Sequence, residues 1–186
     1  MNKMTPVKRI TICAVCIALC YILPIATHAL AVGSILSPMH IPVLLCGIVC
    51  GGGYGLICGI IGPVLSSVLS GMPPATALIS MIPELAVYGL ACGLGMRFIH
   101  TGKLTLDIYA SLVPAMLLGR IAGGIAKVLF FLGKTQTFTM AMWVSSYFVG
   151  SLPGIIAHLI LVPLLVLTLT KAKVIPHRYP KNKEAV

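Results

Sequence analysis

The stretch Leu104–Leu132, LTLDIYASLVPAMLLGRIAGGIAKVLFFL, decides how the rest of the chain is read. It is long and apolar enough to cross a bilayer, which takes about 20 helical residues. Yet Arg120 and Lys127 lie inside it. Seven residues make about two helical turns, so both cations fall on one stripe, about 10 Å apart along the axis. Each would cost about 2.5–3.5 kcal/mol at the centre of a membrane helix. The stripe is therefore expected to face other helices or a water-filled cavity, not lipid. Gly119, Gly123 and Gly124 lie beside the charges and leave room for a neighbouring backbone or a ligand. Two plainer roles compete with ligand binding. The cations could neutralise a buried acid, or, for Lys127 near the helix end, snorkel to the headgroups.

Composition widens this reading to the whole chain. Of 186 residues, 59% are hydrophobic and only 9% charged, against about 25% charged in a soluble domain. The chain is expected to be an all-α, polytopic membrane protein. Its net charge of +10 does not point to nucleic acid, because the basic residues sit at the ends of apolar runs. Lys3, Lys8, Arg9, Arg97, Lys103, Lys171, Lys173, Arg178, Lys181 and Lys183 follow the positive-inside pattern. Basic residues interleaved with aromatics, as in single-strand binders, are lacking. The cysteines, at 13, 16, 20, 46, 50, 58 and 92, all fall in apolar runs and read as small packing residues.

Six spans are expected, near 9–23, 41–50, 54–70, 75–99, 104–132 and 141–169. The basic residues at the N-terminus, in the 97–103 loop and in the tail put both chain ends in the cytoplasm. Residues 1–170 then form one membrane domain and 171–186 a basic, partly disordered cytoplasmic tail. The first span has the basic flank and short apolar core of a signal peptide, but the multi-spanning remainder needs no separate export signal. Ala14 and Ala18 give that span a small-xxx-small pair, which allows close approach of another backbone. Gly47/Gly51/Gly55 and Gly55/Gly59 do the same for the second and third spans. Pro24–Pro42 is read as the first external loop, with His28 and His40; His40, at the mouth of the second span, is the better ligand candidate. Ser66, Ser67 and Ser70 are expected to bond back to helix carbonyls.

Glu84 is the only acid deep in an expected span, with Tyr88 one turn further on the same face. In antiparallel fourth and fifth spans, Glu84 and Arg120 reach similar depths, so they are expected to pair or to share a ligand. Asp107, near a span end, is read as a solvated cap. Trp143 opens the last span beside Ser145, Ser146, Tyr147 and Ser151; it is a further ligand candidate, or an interfacial belt residue.

No catalytic set is visible: there is no H-E-x-x-H, no G-x-S-x-G and no carboxylate cluster. Gly133-Lys134-Thr135 looks like the end of a phosphate-binding loop, but that pattern needs glycine where Val128 stands. Neither a cofactor nor a metal site is expected. The candidate substrate residues, Glu84, Arg120, Lys127, His40, Tyr88 and Trp143, converge on the outer half of the bundle. With Glu84, Arg120 and Lys127 the pocket carries a net cation, which suits a small molecule with a carboxylate or phosphate.

The Ala14-Val15-Cys16-Ile17-Ala18 segment, the run SPMHIPVLLCGIVCGGGYGLICGIIGPVLSSVLSGMPP and the segment IPELAVYGL resemble the substrate-binding S components of energy-coupling factor (ECF) vitamin transporters from Gram-positive bacteria. The resemblance covers the whole chain. It implies a six-helix subunit of the bacterial cell membrane that binds a water-soluble vitamin from outside. It also implies partners: a transmembrane coupling subunit, docked on Ala14 and Ala18, and two cytoplasmic ATPases. Pantothenate is the first substrate expected from the cationic pocket; nicotinate, folate-like, pyridoxine-type and thiamine-precursor molecules stay open. The competing classes are a self-sufficient secondary transporter or channel, and a membrane enzyme.

Overall fold

The computed structural model describes residues 4–29, 37–131, 152–176 and 178–179, and among these the regular structure is entirely helical. In chain order the helices are α1 (Pro6–Ala29), α2 (His40–Cys50), α3 (Gly52–Ser70), α4 (Ala75–Phe98), α5 (Leu104–Phe131) and α6 (Leu152–Lys171). All but α2 are long and apolar enough to cross a membrane. Val7, Val68, Phe98 and Leu129 are among many large apolar side chains left exposed around the outside. A soluble monomer rarely carries so much apolar surface, whereas in a bilayer these faces meet acyl chains. The protein is a multi-pass membrane protein.

The second expected span forms where it was placed, but its 11 residues reach only about 16 Å. Nine of them are buried, so α2 is an internal helix enclosed by its neighbours. It ends at Gly51, whose φ of 103° is open to glycine and strained for other residues. The Gly51 N–H bonds the Gly47 carbonyl, and α3 starts at the next residue. The chain thus reverses in a single residue.

α4 is the centre of the bundle, packed on α2, α3 and α5. Its approach to α2 and α3 is backbone to backbone. A Cβ on Gly47, Gly55 or Gly89 would run into the backbone of another of the three, and Gly59 meets the Leu85 backbone in the same way. Small residues allow this because helix association in lipid rests largely on close van der Waals packing. The expected Gly47, Gly55 and Gly59 contacts therefore form, and Gly51 serves the tight turn that its glycine run also suits.

α1 runs on through Pro24 to Ala29, six residues past its expected end, so residues 24–29 are helix and not loop. Thr27 Oγ1 donates to the Leu23 and Pro24 carbonyls at 2.9 and 3.2 Å and ties down the turn that follows the proline. One face of α1 carries Cys13, Cys16 and Cys20, all buried against α2 and α3. Ala14 and Ala18 are on its exposed side. All seven cysteines are buried and free, as a packing role requires.

The serines of α3 fasten the turn that follows it. Ser66 and Ser67 donate to the carbonyls of Met72 and Pro73 at 2.7 and 2.9 Å, and Ser70 donates back to Ser66 at 2.7 Å. At the opposite end of the bundle, Asp107 is not a solvated cap: it is 0% exposed. It accepts from the Thr101 N–H and hydroxyl, both at 2.7 Å, and from the Tyr179 hydroxyl at 2.7 Å, and pairs with Arg178 Nε at 3.2 Å. The described start of the tail has turned back against the helix ends, and this long-range contact is what buries the acid.

Candidate functional site

A polar cluster fills the bundle at the end where α2 begins. His40 opens α2 and is only 7% exposed. Its Nδ1 lies 3.0 Å from the Ser37 carbonyl, so this nitrogen carries a proton and donates. Nε2 then faces Glu84 Oε1 of α4 at 3.7 Å. A second proton, on Nε2, would make this an ion pair; without it the nitrogen is an acceptor turned toward a carboxylate.

Tyr88 sits one turn along α4 and donates its hydroxyl to Glu84 Oε1 at 2.9 Å. The glycines of α5 explain how this pair fits. A Cβ on Gly119 would collide with the Tyr88 ring, and one on Gly123 would stand 3.0 Å from Glu84 Oε2. The room expected beside Arg120 is therefore taken up, at these two positions, by the tyrosine and the acid.

Arg120 is 5% exposed, on the inward stripe of α5 between those glycines. Lys127, on the same stripe, is half-buried. The cations thus face the bundle, as their desolvation cost demands. Among the described residues, however, no ion pair joins Arg120 to Glu84; the basic group nearest the acid is the His40 ring. The register between α2 and α4 decides this, and that register is set by the glycine crossing.

His158 of α6 belongs to the cluster and was missed. It is 1% exposed, its ring stacks on His40 at 5.4 Å between centroids, and Nε2 lies 3.4 Å from the Ser37 carbonyl. Its signal in the sequence is the one that Arg120 gave, an ionisable residue within an apolar span. Tyr88 closes the other side of His40, with centroids 5.3 Å apart. Trp143, Ser145, Ser146, Tyr147 and Ser151 lie outside the described residues, as do Gly133, Lys134 and Thr135. Among the described residues no three His, Cys, Asp or Glu side chains are placed to hold a metal ion.

The cluster combines an acid, two histidines and a phenol in an apolar surround, and Arg120 is buried on the stretch of α5 that packs against it. Such a set offers donors and acceptors at fixed positions, as a small-molecule site does. It lacks an activated nucleophile. Residues 8–166 match the family described as "ECF transporter, substrate-specific component". The chain belongs to this family. No curated protein and no solved structure matches it. As an ECF substrate-specific component, or S component, it is a transport subunit and not an enzyme, and it works with the other subunits of an ECF transporter. Its membrane character, argued above from apolar helices, agrees with that assignment.

Proposed function

We propose that this S component captures a small water-soluble vitamin, or a vitamin precursor, at the cluster of His40, Glu84, Tyr88, Arg120 and His158. One observation carries the reading: four ionisable or hydrogen-bonding side chains from α2, α4 and α6 are buried against one another in a membrane bundle, with Arg120 buried on the stretch of α5 packed against them. Burying them costs stability that apolar residues would not cost, and a ligand that needs them gives a reason for their presence. Lys127 and Trp143 are proposed as further substrate-binding residues. The cations favour a ligand with an acidic group, and pantothenate is the first to test.

The basic residues at the Arg97 end, including Lys8, Arg9, Lys103, Lys171 and Lys173, support a cytoplasmic position for that end and for both termini of a bundle with six membrane segments. The substrate cluster then opens toward the outside of a bacterial cell membrane. Residues 1–170 act as the membrane domain and 171–186 as its cytoplasmic extension. Import requires docking on the transmembrane coupling subunit, and hydrolysis of ATP takes place in two cytoplasmic ATPase subunits. The exposed Ala14 and Ala18 are the docking surface on α1.

Native mass spectrometry of the purified chain, followed by calorimetric titration with pantothenate and the other B vitamins, tests the site. Arg120→Ala is expected to abolish binding of the acidic ligand while the protein keeps its elution profile in detergent. Unchanged affinity in a folded variant would remove Arg120 from the site. Ala14→Leu and Ala18→Leu are expected to spare binding and block uptake in reconstituted vesicles. Normal uptake by both would place the docking surface elsewhere.

A further inference from the structure

The end of the bundle opposite the substrate cluster holds a cavity of about 590 Å3. Arg9 of α1, Arg97 at the end of α4, His100 and Arg178 line it, together with the glycine turn 51–53. Among the described residues, no Asp or Glu contributes to its walls. Arg178 is already neutralised by Asp107. Arg9 and Arg97 make no ion pair among the described residues. Arg9 Nε is buried and, again among the described residues, has no hydrogen-bond partner. Arg97 lays its guanidinium over the Phe98 ring at 5.8 Å, a contact that leaves its N–H edge for other partners.

Topology alone accounts for positive charge at this end. It does not account for two arginines from different helices lining one cavity. Lys8, Lys103, Lys171 and Lys173 meet the topological need without lining it. The glycine turn adds a further feature. A Cβ on Gly51 or Gly53 would meet nothing within 4 Å, so the backbone there borders open space. Gly52 starts α3, a 19-residue helix, whose first amides carry partial positive charge.

We propose that this cavity binds a phosphate group, carried either by an anionic lipid headgroup or by a soluble phosphate. Two arginines that line one cavity from separate helices suit an anion with acceptors in several directions, which a tetrahedral phosphate has. The volume leaves space for whatever the phosphate is attached to, and Ile48 and Val166 give that part an apolar wall.

The test uses the full chain purified in detergent. Native mass spectrometry measures retention of phosphatidylglycerol against phosphatidylcholine. Thermal unfolding is followed in inorganic phosphate against chloride at equal ionic strength. Arg9→Gln and Arg97→Gln are each expected to weaken the phosphate-dependent signal about fivefold, and Lys103→Gln, outside the cavity, less than about twofold. Arg97 is exposed, so its variant reports even if Arg9→Gln does not fold. Retained phosphatidylglycerol that depends on the arginines assigns the phosphate to a lipid. Stabilisation by inorganic phosphate with no preference between the lipids assigns it to a soluble anion. If neither probe is distinguished from its control, or if the arginine variants behave like Lys103→Gln, the proposal is overturned.

Discussion

Among the described residues the protein buries two carboxylates, at opposite ends of one bundle, and they are treated differently. Asp107 is saturated: Oδ1 accepts two bonds from Thr101, and Oδ2 takes the Tyr179 hydroxyl and Arg178 Nε. Glu84 is not. Its contacts with Tyr88 and His40 both fall on Oε1, and the second of them, at 3.7 Å, is longer than a hydrogen bond. Oε2, beside Gly123, has no hydrogen bond among the described residues. An ionised carboxylate offers about four acceptor sites. Full use of them, by fixed protein groups, marks a structural role. Spare capacity in a buried acid is a standing cost, and in a membrane interior such a cost points to function.

The sharpest way to break this comparison is Asp107→Asn. It removes the charge opposite Arg178 and turns amide hydrogens toward donors. The expected loss is about 3 kcal/mol of stability, because the fully buried Asp107 site loses its charge while the partly buried Arg178 loses its ion pair. A fall in the unfolding temperature in detergent reads it, and vitamin affinity in the surviving folded fraction stays unchanged. Glu84→Gln is expected to do the reverse. Stability holds or rises, since a poorly solvated charge is removed. Ligand affinity falls by about 10- to 100-fold, the worth of a charge-assisted hydrogen bond. If Glu84→Gln is the more destabilising of the two and leaves affinity intact, the acid at the substrate cluster is structural after all.

Much of this architecture is legible in the sequence, for reasons that can be named. Apolar runs located every described helix, and all of these runs but that of α2 are long enough for a bilayer. The end of α1 was misplaced at Pro24 because proline usually stops a helix in water, whereas in a bilayer the helix continues through it. Glu84 and Arg120 stand out because ionisable residues in spans are costly, Tyr88 because it shares a face with Glu84, and His40 because it sits at the mouth of the second span. His158 meets the criterion that marks Glu84 and Arg120. Which of these groups meet could not be read. Pairing depends on the rotation and register of α2 against α4, and hence on backbone contacts among Gly47, Gly55 and Gly89. Asp107 was misread for a related reason. It lies near the end of a span, and its burial comes from Arg178 and Tyr179, more than 70 residues away in the chain.

The finest test sets one hydroxyl against another. Tyr88 and Tyr179 each donate to a buried carboxylate, at 2.9 and 2.7 Å. Phenylalanine removes the donor and keeps the ring, so the Tyr88 packing on Gly119 is preserved. Each loss is worth about 1 kcal/mol. What differs is where that energy appears. At Asp107 three other bonds hold the acid in place, so Tyr179→Phe is expected to lower stability by about that amount and leave the vitamin's Kd alone. At Glu84 the Tyr88 hydroxyl is, among the described residues, the one short bond that fixes the carboxylate's direction. Tyr88→Phe is therefore expected to raise Kd about fivefold, by letting Glu84 rotate away from the ligand, with a smaller change in unfolding temperature. Equal shifts in Kd for the two variants would mean that the two carboxylates are not doing different jobs.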